Sequence, residues 1–313
     1  MNKLTCIIPF LNEGIEIFRT VKSIRDTVGN SVDIILVNDS SDDGIDYKVI
    51  ANQFNCQYVI NNSRRGVAGS RDLGVQLANT DMCLLLDGHM GFYDSKWLDE
   101  ITNTIELNPR RIYCTACHPN WYPYDSEEAR KNKGIHTGAY LDTGFKDWHS
   151  SFEPRWLSVK LKTVEEIPIV LGATYCFSKE YYIEIGGLSG LVTYGGDEAW
   201  LSLKSWAIGE GCAVIGNTSI GHLFRDRRDV PYVASMSDHI FNRLLIVSVI
   251  CPDKKHWITE LIRQGGPEVV KLLKDNWDEI VKTRTWFTSV EQEGWRDRFN
   301  ELNNEFLLDG EDI

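Results

Sequence analysis

With 313 residues, 42% of them hydrophobic and 11% aromatic, the chain can bury a large core, which sets aside a disordered or fibrous protein. Its formal net charge of -12 sets aside a nucleic-acid backbone as the main partner, because such binding depends on clustered Lys and Arg neutralising phosphates. An anionic nucleotide would need a metal ion or a few placed arginines to offset that field.

The opening MNKLTCIIPF has none of the parts of a secretory signal. The longest apolar stretch near the C-terminus, Ile246 to Cys251, belongs to a run that already contains Arg243 and falls short of the ~20 residues of a spanning helix. A cytoplasmic chain is expected, without a transmembrane span and with peripheral membrane contact left open. The 8 cysteines are scattered, several of them inside apolar runs, as reduced packed thiols would be. Cys114-Thr-Ala-Cys117-His118 formally matches a redox or haem-attachment motif, but it alternates like a strand and no second cysteine pair completes a zinc site.

In chain order, LTCIIPF (4–10) reads as a strand, and Ile15, Phe18, Val21, Ile24 and Val28 mark a helix stopped by Gly29. DIILV (33–37), CQYVI (56–60) and MCLLL (82–86) are further strands. A short helical stretch precedes the second of these, and a helix around Val67 to Ala78 precedes the third. Trp97, Leu98, Ile101 and Ile105 share one face of a helix that ends before Pro109. This alternation predicts an α/β fold with a mostly parallel central sheet flanked by helices. From His118 to Glu166 the pattern gives way to an irregular, aromatic-rich segment (Trp121, Tyr122, Tyr124, Tyr140, Phe145, Trp148, Phe152, Trp156). It reads equally well as a binding loop or as a small second sheet. IPIVLGATYCFS (167–178) is expected as a buried strand, followed by a helix ending at Gly186-Gly187, and CAVIG and SIGHLFR as two more strands. Beyond about Asp229 the composition is helical, with Gly265-Gly266-Pro267 opening a helix. The expected organisation is residues 1–228 as one α/β unit, divided at 117, and 229–313 as a helical extension whose tryptophans pack on that unit, dimerise, or rest on a membrane.

In sheets of this kind ligands sit beyond the C-terminal strand ends, so the polar clusters that follow strands are the candidate site. Asn12-Glu13 follows the first, Asn38-Asp39 the second and Asp87-Gly88-His89 the fourth. Asp39 alone is as easily a turn former. SRRGVAGSRDLG (63–74) sets Arg64, Arg65 and Arg71 around glycines at a helix start, which suits phosphate or a nucleotide. Asp87 and His89 can reach one ion, with His222 as a third ligand and Arg225 three residues on. One carboxylate with imidazoles suits Mn²⁺ better than Mg²⁺. Asp197 and Glu198, after two glycines, are either helix-start acids or carboxylates beside a reacting centre.

Taken in order, CIIPFLNEG, DIILVNDSSDDG, RRGVAGSRDLG, LLLDGHM, IPIVLGATYCFSKEYYIEIGGL, YGGDEAW and GHLFR resemble a nucleotide-sugar glycosyltransferase of the GT-A fold over residues 4–226. Asp-x-His, Gly-Gly-acid and Gly-His-x-Phe-Arg are most similar to the polypeptide N-acetylgalactosaminyltransferases and their bacterial relatives. The first half fits the broader family-2 enzymes. The resemblance implies that Asp39, one of Arg64 or Arg65, and Arg71 hold the uridine part of a UDP-sugar, within a nucleotide-sugar set that includes Pro9, Asn12, Glu13, Asp87, Gly88 and Tyr194. It further implies that Asp87, His89 and His222 ligate the metal, that Arg225 contacts the diphosphate, and that Asp197 and Glu198 are the catalytic acids. Tyr194 stands where those enzymes usually have Trp, and Asp197-Glu198 where they have Glu-Asn. Retaining and inverting chemistry therefore both stay open, with the metal motif and GHLFR leaning to retention. The acceptor is expected to be a glycan, a lipid-linked sugar or a protein, and a homodimer is left open. The rivals are a sugar-phosphate nucleotidyltransferase and a non-catalytic sugar-nucleotide-binding scaffold.

Overall fold

The computed structural model describes residues 2–119, 135–144, 151–225 and 230–303. Four strands, β1 (Leu4–Phe10), β2 (Asp33–Asn38), β3 (Gln57–Ile60) and β4 (Met82–Leu86), pair in parallel in the order β3-β2-β1-β4. Strands β1 and β4 are buried along their whole length. That is why they read as unbroken apolar runs rather than as alternating ones. The crossovers carry α1 (Glu16–Val28), α2 (Tyr47–Gln53) and α3 (Gly66–Leu77), and α4 (Lys96–Leu107) follows β4. Helix α1 buries Ile17, Val21 and Ile24 and stops at Gly29, whose φ is 57°. Helix α3 lies directly on β1, since a Cβ at Gly74 would come within 2.2 Å of the Ile7 side chain. This close approach sets where Arg71, one turn earlier on α3, can reach.

Past β4 the pairing changes. Strand β10 (Thr174–Ser178) runs antiparallel between β4 and β6 (Ile112–Pro119). Strand β11 (Cys212–His222) is parallel to β6, and β5 (Met90–Gly91) and β9 (Val164–Glu166) pair antiparallel with β11. The sheet is thus parallel in its first half and mixed in its second, where β10 runs against both β4 and β6. CAVIG and SIGHLFR, expected as two strands, join into β11 with a register slip between Ile215 and Ser219. Only Thr174–Ser178 of IPIVLGATYCFS belongs to the ladder, although Ile167 to Leu171 are buried beside it. Strands β7 (Gly138–Asp142) and β8 (Glu153–Leu157) form a separate antiparallel ribbon. Phe152 is buried there and Trp156 is exposed. Trp121, Tyr122, Tyr124, Phe145 and Trp148 of the aromatic segment lie outside the described residues.

Helix α5 (Lys179–Glu184) ends before the expected glycines, and α6 (Asp197–Ile208) is buried on nearly all sides. The C-terminal part is helical: α7 (Met236–Ile250), α8 (Lys255–Asp275), α9 (Trp277–Val290) and α10 (Trp295–Asn303). Helix α8 breaks at Gly266 (φ 61°) and restarts at Pro267, whose missing N–H suits a first helical position. Trp257 and Trp295 join the core, whereas Trp277 is exposed. Among the described residues no helix is long and apolar enough to cross a membrane. All 8 cysteines are free thiols, and Cys114 and Cys117 are buried.

One buried charge ties these layers together behind the sheet. Lys204 on α6 is 1% exposed, donates from Nζ to the Gly187 carbonyl and lies 4.4 Å over the Trp200 ring. Asp72 is nearby, accepting from the Tyr182 hydroxyl (2.7 Å) and the Leu188 N–H (3.1 Å). Burial lowers the Lys204 ammonium to about 7, against the pull of Asp72. Above pH 7 the folded chain therefore gives up this proton while the unfolded chain keeps it, so this group's contribution to stability rises with pH. In urea unfolding between pH 7 and 8.5, the stability of wild type relative to Lys204→Met is expected to climb, with a limiting slope of about 1.4 kcal/mol per pH unit. A difference that stays flat over this range would contradict the assignment.

Candidate active site and metal centre

The loops that follow β1, β2, β4 and β11 open onto one cavity of about 360 Å³. Each cluster singled out after a strand contributes to it. Pro9 and Glu13 come from the first, Asp39 from the second, Asp87, Gly88 and His89 from the fourth, and His222 and Arg225 from the end of β11. Arg64 and Arg71 enter from the start of α3, and Tyr194, Asp197 and Glu198 from the loop that opens α6. Six carboxylates and three guanidiniums line the cavity, so it is negative and a cation belongs in it.

The geometry places that cation. Ligand atoms of Asp87, His89 and His222 lie within 4.8 Å of one another, and the two imidazole rings are 5.0 Å apart. Both ring nitrogens of His222 are buried without a well-formed hydrogen bond, although Nε2 is 3.3 Å from Asp87 Oδ2. Orphaned imidazole nitrogens facing a carboxylate are what a divalent ion would satisfy, and the donor set fits one. Burial pushes the His222 imidazole below its usual pKa despite Asp87, which keeps its ring neutral for ligation. Burial also works to raise the Asp87 carboxyl, but the contact with His222 and the Arg71 guanidinium outweigh it and hold it below the usual carboxylate range.

Glu13 supports this centre from behind. Its Oε2 accepts from His89 Nδ1 at 3.1 Å and from the Arg225 guanidinium at 2.7 Å. The carboxylate orients the ring and leaves the other nitrogen to the ion. Burial alone would raise Glu13, but His89 and Arg225 bring it below the ordinary value, so it stays ionised. Gly88 makes the arrangement fit, because a Cβ there would come within 2.8 Å of Glu13 Cγ. The expected direct contact between Glu13 and a nucleotide-sugar is replaced by this orienting role, since the carboxylate is already engaged by His89 and Arg225.

Arg71 also differs from expectation. It is 3% exposed, and its guanidinium binds the Asp197 carboxylate, Asp87 Oδ1 (3.0 Å) and the Gly172 carbonyl (3.1 Å), with the Tyr175 ring 4.9 Å away. Its guanidinium lines the cavity but is already engaged, and it links Asp87 to the start of α6. Asp197 also accepts from the Tyr175 hydroxyl at 2.7 Å. Glu198 packs its carboxylate against Gly172, where a Cβ would come within 2.4 Å of Oε1. Burial, then Asp197, raises the Glu198 carboxyl well above its usual value.

Asp39 accepts from the Arg65 N–H (2.8 Å), the Gly66 N–H (2.9 Å) and Asn61 (2.7 Å). It holds the start of α3 and still faces the cavity with Oδ2 capacity left. Arg64 is exposed and makes no ion pair among the described residues, so its guanidinium is available to a ligand. The Arg65 side chain is outside the cavity lining, and only its backbone takes part. Asn12 is outside as well, exchanging hydrogen bonds with Asp42 (both 2.8 Å) that pin the β1 loop to the β2 loop. Lining residues that the strand-end logic missed include Trp156, Gly172, Phe224 and Tyr232. Phe224 sits inside GHLFR with its ring 4.3 Å from His222, and its position two residues beyond that ligand is the signal that could have found it.

With the site in view, comparison with known proteins adds a lineage. The model of "Glycosyl transferase family 2" matches residues 5–164, just over half of the chain. The chain belongs to this family. Among curated proteins, this family 2 glycosyl transferase is 26% identical over 244 residues to polypeptide N-acetylgalactosaminyltransferase 4 of Caenorhabditis elegans, covering 74% of this chain and 40% of that one. It is also 26% identical over 275 residues to human polypeptide N-acetylgalactosaminyltransferase 10, covering 84% and 43%. The chain thus spans about two-fifths of the length of these relatives. Among solved structures, GalNAc-T7 with UDP, GalNAc and Mn²⁺ superposes with a TM-score of 0.67 at 20% identity, over 96% of this chain and 58% of that one. S. aureus TarS 1-349 gives 0.51 at 11% identity, over 84% and 71%. These superpositions establish the GT-A fold.

The orienting role of Glu13 has a direct readout. Glu13→Gln weakens both the His89 contact and the Arg225 pair without changing volume. Mn²⁺ affinity in the absence of nucleotide, measured by calorimetry, is expected to fall about 10- to 100-fold. An unchanged Mn²⁺ affinity in a folded variant would refute the role.

Proposed function

We propose that the protein transfers a sugar, an N-acetylhexosamine by the company it keeps, from a UDP-sugar to an acceptor hydroxyl with retention of anomeric configuration. The observation that carries this is one cavity in which a carboxylate and two imidazoles converge beside Arg225, with Arg64 and Asp39 lining the same cavity. Metal, diphosphate and nucleoside would each find a partner of suitable chemistry there. The polypeptide N-acetylgalactosaminyltransferase names of the curated relatives and the UDP, GalNAc and Mn²⁺ of the GalNAc-T7 structure support the donor and ion. The acceptor is proposed as a glycan, a lipid-linked sugar or a protein hydroxyl.

In this reading Asp87, His89 and His222 would hold a divalent ion, Mn²⁺ before Mg²⁺, which would supply Lewis-acid chemistry for a departing diphosphate. Arg225, steadied by Glu13, adds a second positive charge on the same oxygens. Asp39 and Arg64 fix the nucleoside end, and Tyr194 flanks the sugar.

The acids favour retention. Inversion calls for an ionised carboxylate free to take the acceptor proton. Asp197 is held by Arg71 and Tyr175, and the Glu198 carboxyl is buried and pushed well above its usual value, first by burial and then by Asp197. With neither Asp197 nor Glu198 free to act as base, attack from the leaving-group side, with the acceptor proton passing to the departing diphosphate, is the route these two acids support. Asp197 and Glu198 then act by position and hydrogen bonding rather than as base.

A screen of UDP-sugars reading UDP release is expected to show turnover with Mn²⁺ and none in excess EDTA, and UDP-N-acetylgalactosamine is the first donor to try. His222→Ala should lower turnover at least about 100-fold while the circular dichroism spectrum is kept. Full activity in EDTA would sink the metal assignment, and UDP binding without any turnover would turn the protein into a binder. The anomeric configuration of the product, read by NMR, decides retention.

A further inference from the structure

The helical C-terminal part reaches into the cavity's construction through a single buried side chain. Asn242 on α7 is 0% exposed. Its Oδ1 accepts from the Val192 N–H at 2.8 Å, and its amide NH₂ faces three carbonyls: Val192 (2.7 Å), Gly195 (2.8 Å) and Tyr194 (3.2 Å). These four contacts all go to the loop that precedes Asp197. That loop needs holding, since Thr193, Gly195 and Gly196 all have positive φ, of 38°, 92° and 82°. A non-glycine residue in that region is strained.

The loop is gripped from the other side as well. The Thr193 carbonyl accepts from the Val67 N–H (2.8 Å) at the start of α3, and a Cβ at Gly66 would come within 2.3 Å of Thr193 Cα. The Thr193 hydroxyl donates to Asp238 on α7 at 2.7 Å. Residues 192–196 are therefore clamped between the helix that carries Arg71 and the helix that carries Asn242. The loop sets the position of Tyr194 on the cavity wall and of Asp197, which closes the Arg71 pair.

We propose that Asn242 is a positioning residue for sugar transfer, holding the Val192–Gly195 loop so that Tyr194 and Asp197 face the donor sugar. The proposal rests on the reading of the cavity as a UDP-sugar site. It makes α7 part of the catalytic apparatus, through a residue that itself touches no substrate. The hydrogen bonds that hold Asp39 come from Asn61, Arg65 and Gly66 rather than from Asn242, so loss of the clamp should lower turnover of the sugar more than binding of UDP.

The test uses the full chain and Asn242→Asp, which keeps the shape but sets a carboxylate oxygen against three carbonyls, with Asn242→Ser as the milder variant should the first fail to fold. Three quantities are read: thermal midpoint, UDP affinity with Mn²⁺ by calorimetry, and UDP release from UDP-N-acetylgalactosamine. Arg296→Ala is the control. Arg296 donates to the Ile250 carbonyl at the far end of α7 (3.0 Å), remote from the loop. The expected result is a folded Asn242 variant with UDP affinity within about 3-fold of wild type and kcat at least about 10-fold lower, while Arg296→Ala lowers the thermal midpoint and leaves kcat unchanged. The proposal is overturned by a folded variant with unaltered kcat. It is equally overturned by parallel loss of UDP affinity and kcat, or by Arg296→Ala lowering kcat as much at a matched loss of stability. Wild type that neither binds UDP nor releases it would instead remove the functional reading on which the proposal rests.

Discussion

The site depends on a buried guanidinium. Arg71 is almost completely withdrawn from solvent and held by Asp87, Asp197 and the Gly172 carbonyl. An unpaired charge at such depth costs several kcal/mol, so the fold is stable only when those partners arrive together. They come from the end of β4, the start of α6 and the segment leading into β10. Pairing Arg71 therefore fixes the metal carboxylate, the candidate catalytic acids and the second half of the sheet relative to one another. Because Arg71 takes Asp87 Oδ1, the other oxygen is turned toward His222, where an ion would use it.

Charge balance then explains how an acidic chain can address an anionic ligand. With carboxylates outnumbering guanidiniums in the cavity, a nucleoside diphosphate alone meets net repulsion. An ion between Asp87 and the imidazoles changes the sign of the local field where phosphate oxygens would lie. Arg225 lies beside that position, and Arg64 lines the same cavity. Glu13 couples the ion to Arg225, because one of its oxygens accepts from both His89 and Arg225. The His89 imidazole and the Arg225 guanidinium are thereby steadied by the same carboxylate.

The parallel half of the fold was readable because each of its elements is periodic over its own length. LTCIIPF and MCLLL were identified to the residue, and the expected bounds of α1 and α3 were off by about one residue. The clustering of Asp87, His89 and His222 was readable because they follow strands, and strand ends in such sheets face one edge. What pairing does after β4 was not readable. An antiparallel β10 and the fused β11 depend on contacts across the sheet rather than on local pattern, and the slip at Gly216 has only a glycine to announce it. Partnering inside the site was also hidden. Nothing in RRGVAGSRDLG tells which arginine is buried, since that depends on the depth at which α3 meets β1 through Gly74. The Asn242 clamp joins residues some fifty positions apart, in segments read as belonging to different units.

That last contact bears on how the chain is divided. A boundary near residue 228 follows the change from mixed to helical composition, but composition does not decide where a cavity wall is held. Buried neighbours Asn242 and Arg243 point two ways from α7. Asn242 reaches the loop before Asp197, and Arg243 reaches Glu153 and the Ser151 carbonyl (3.2 Å) at the β8 side of the cavity. Each closes polar groups that would otherwise be orphaned in the interior, at a cost of about 1–3 kcal/mol apiece. Removing the C-terminal helices would leave strained backbone at residues 193–196 without its clamp and Glu153 without its cation. The catalytic architecture and the helical part are on these grounds one cooperative unit, with the wall of the cavity built on both.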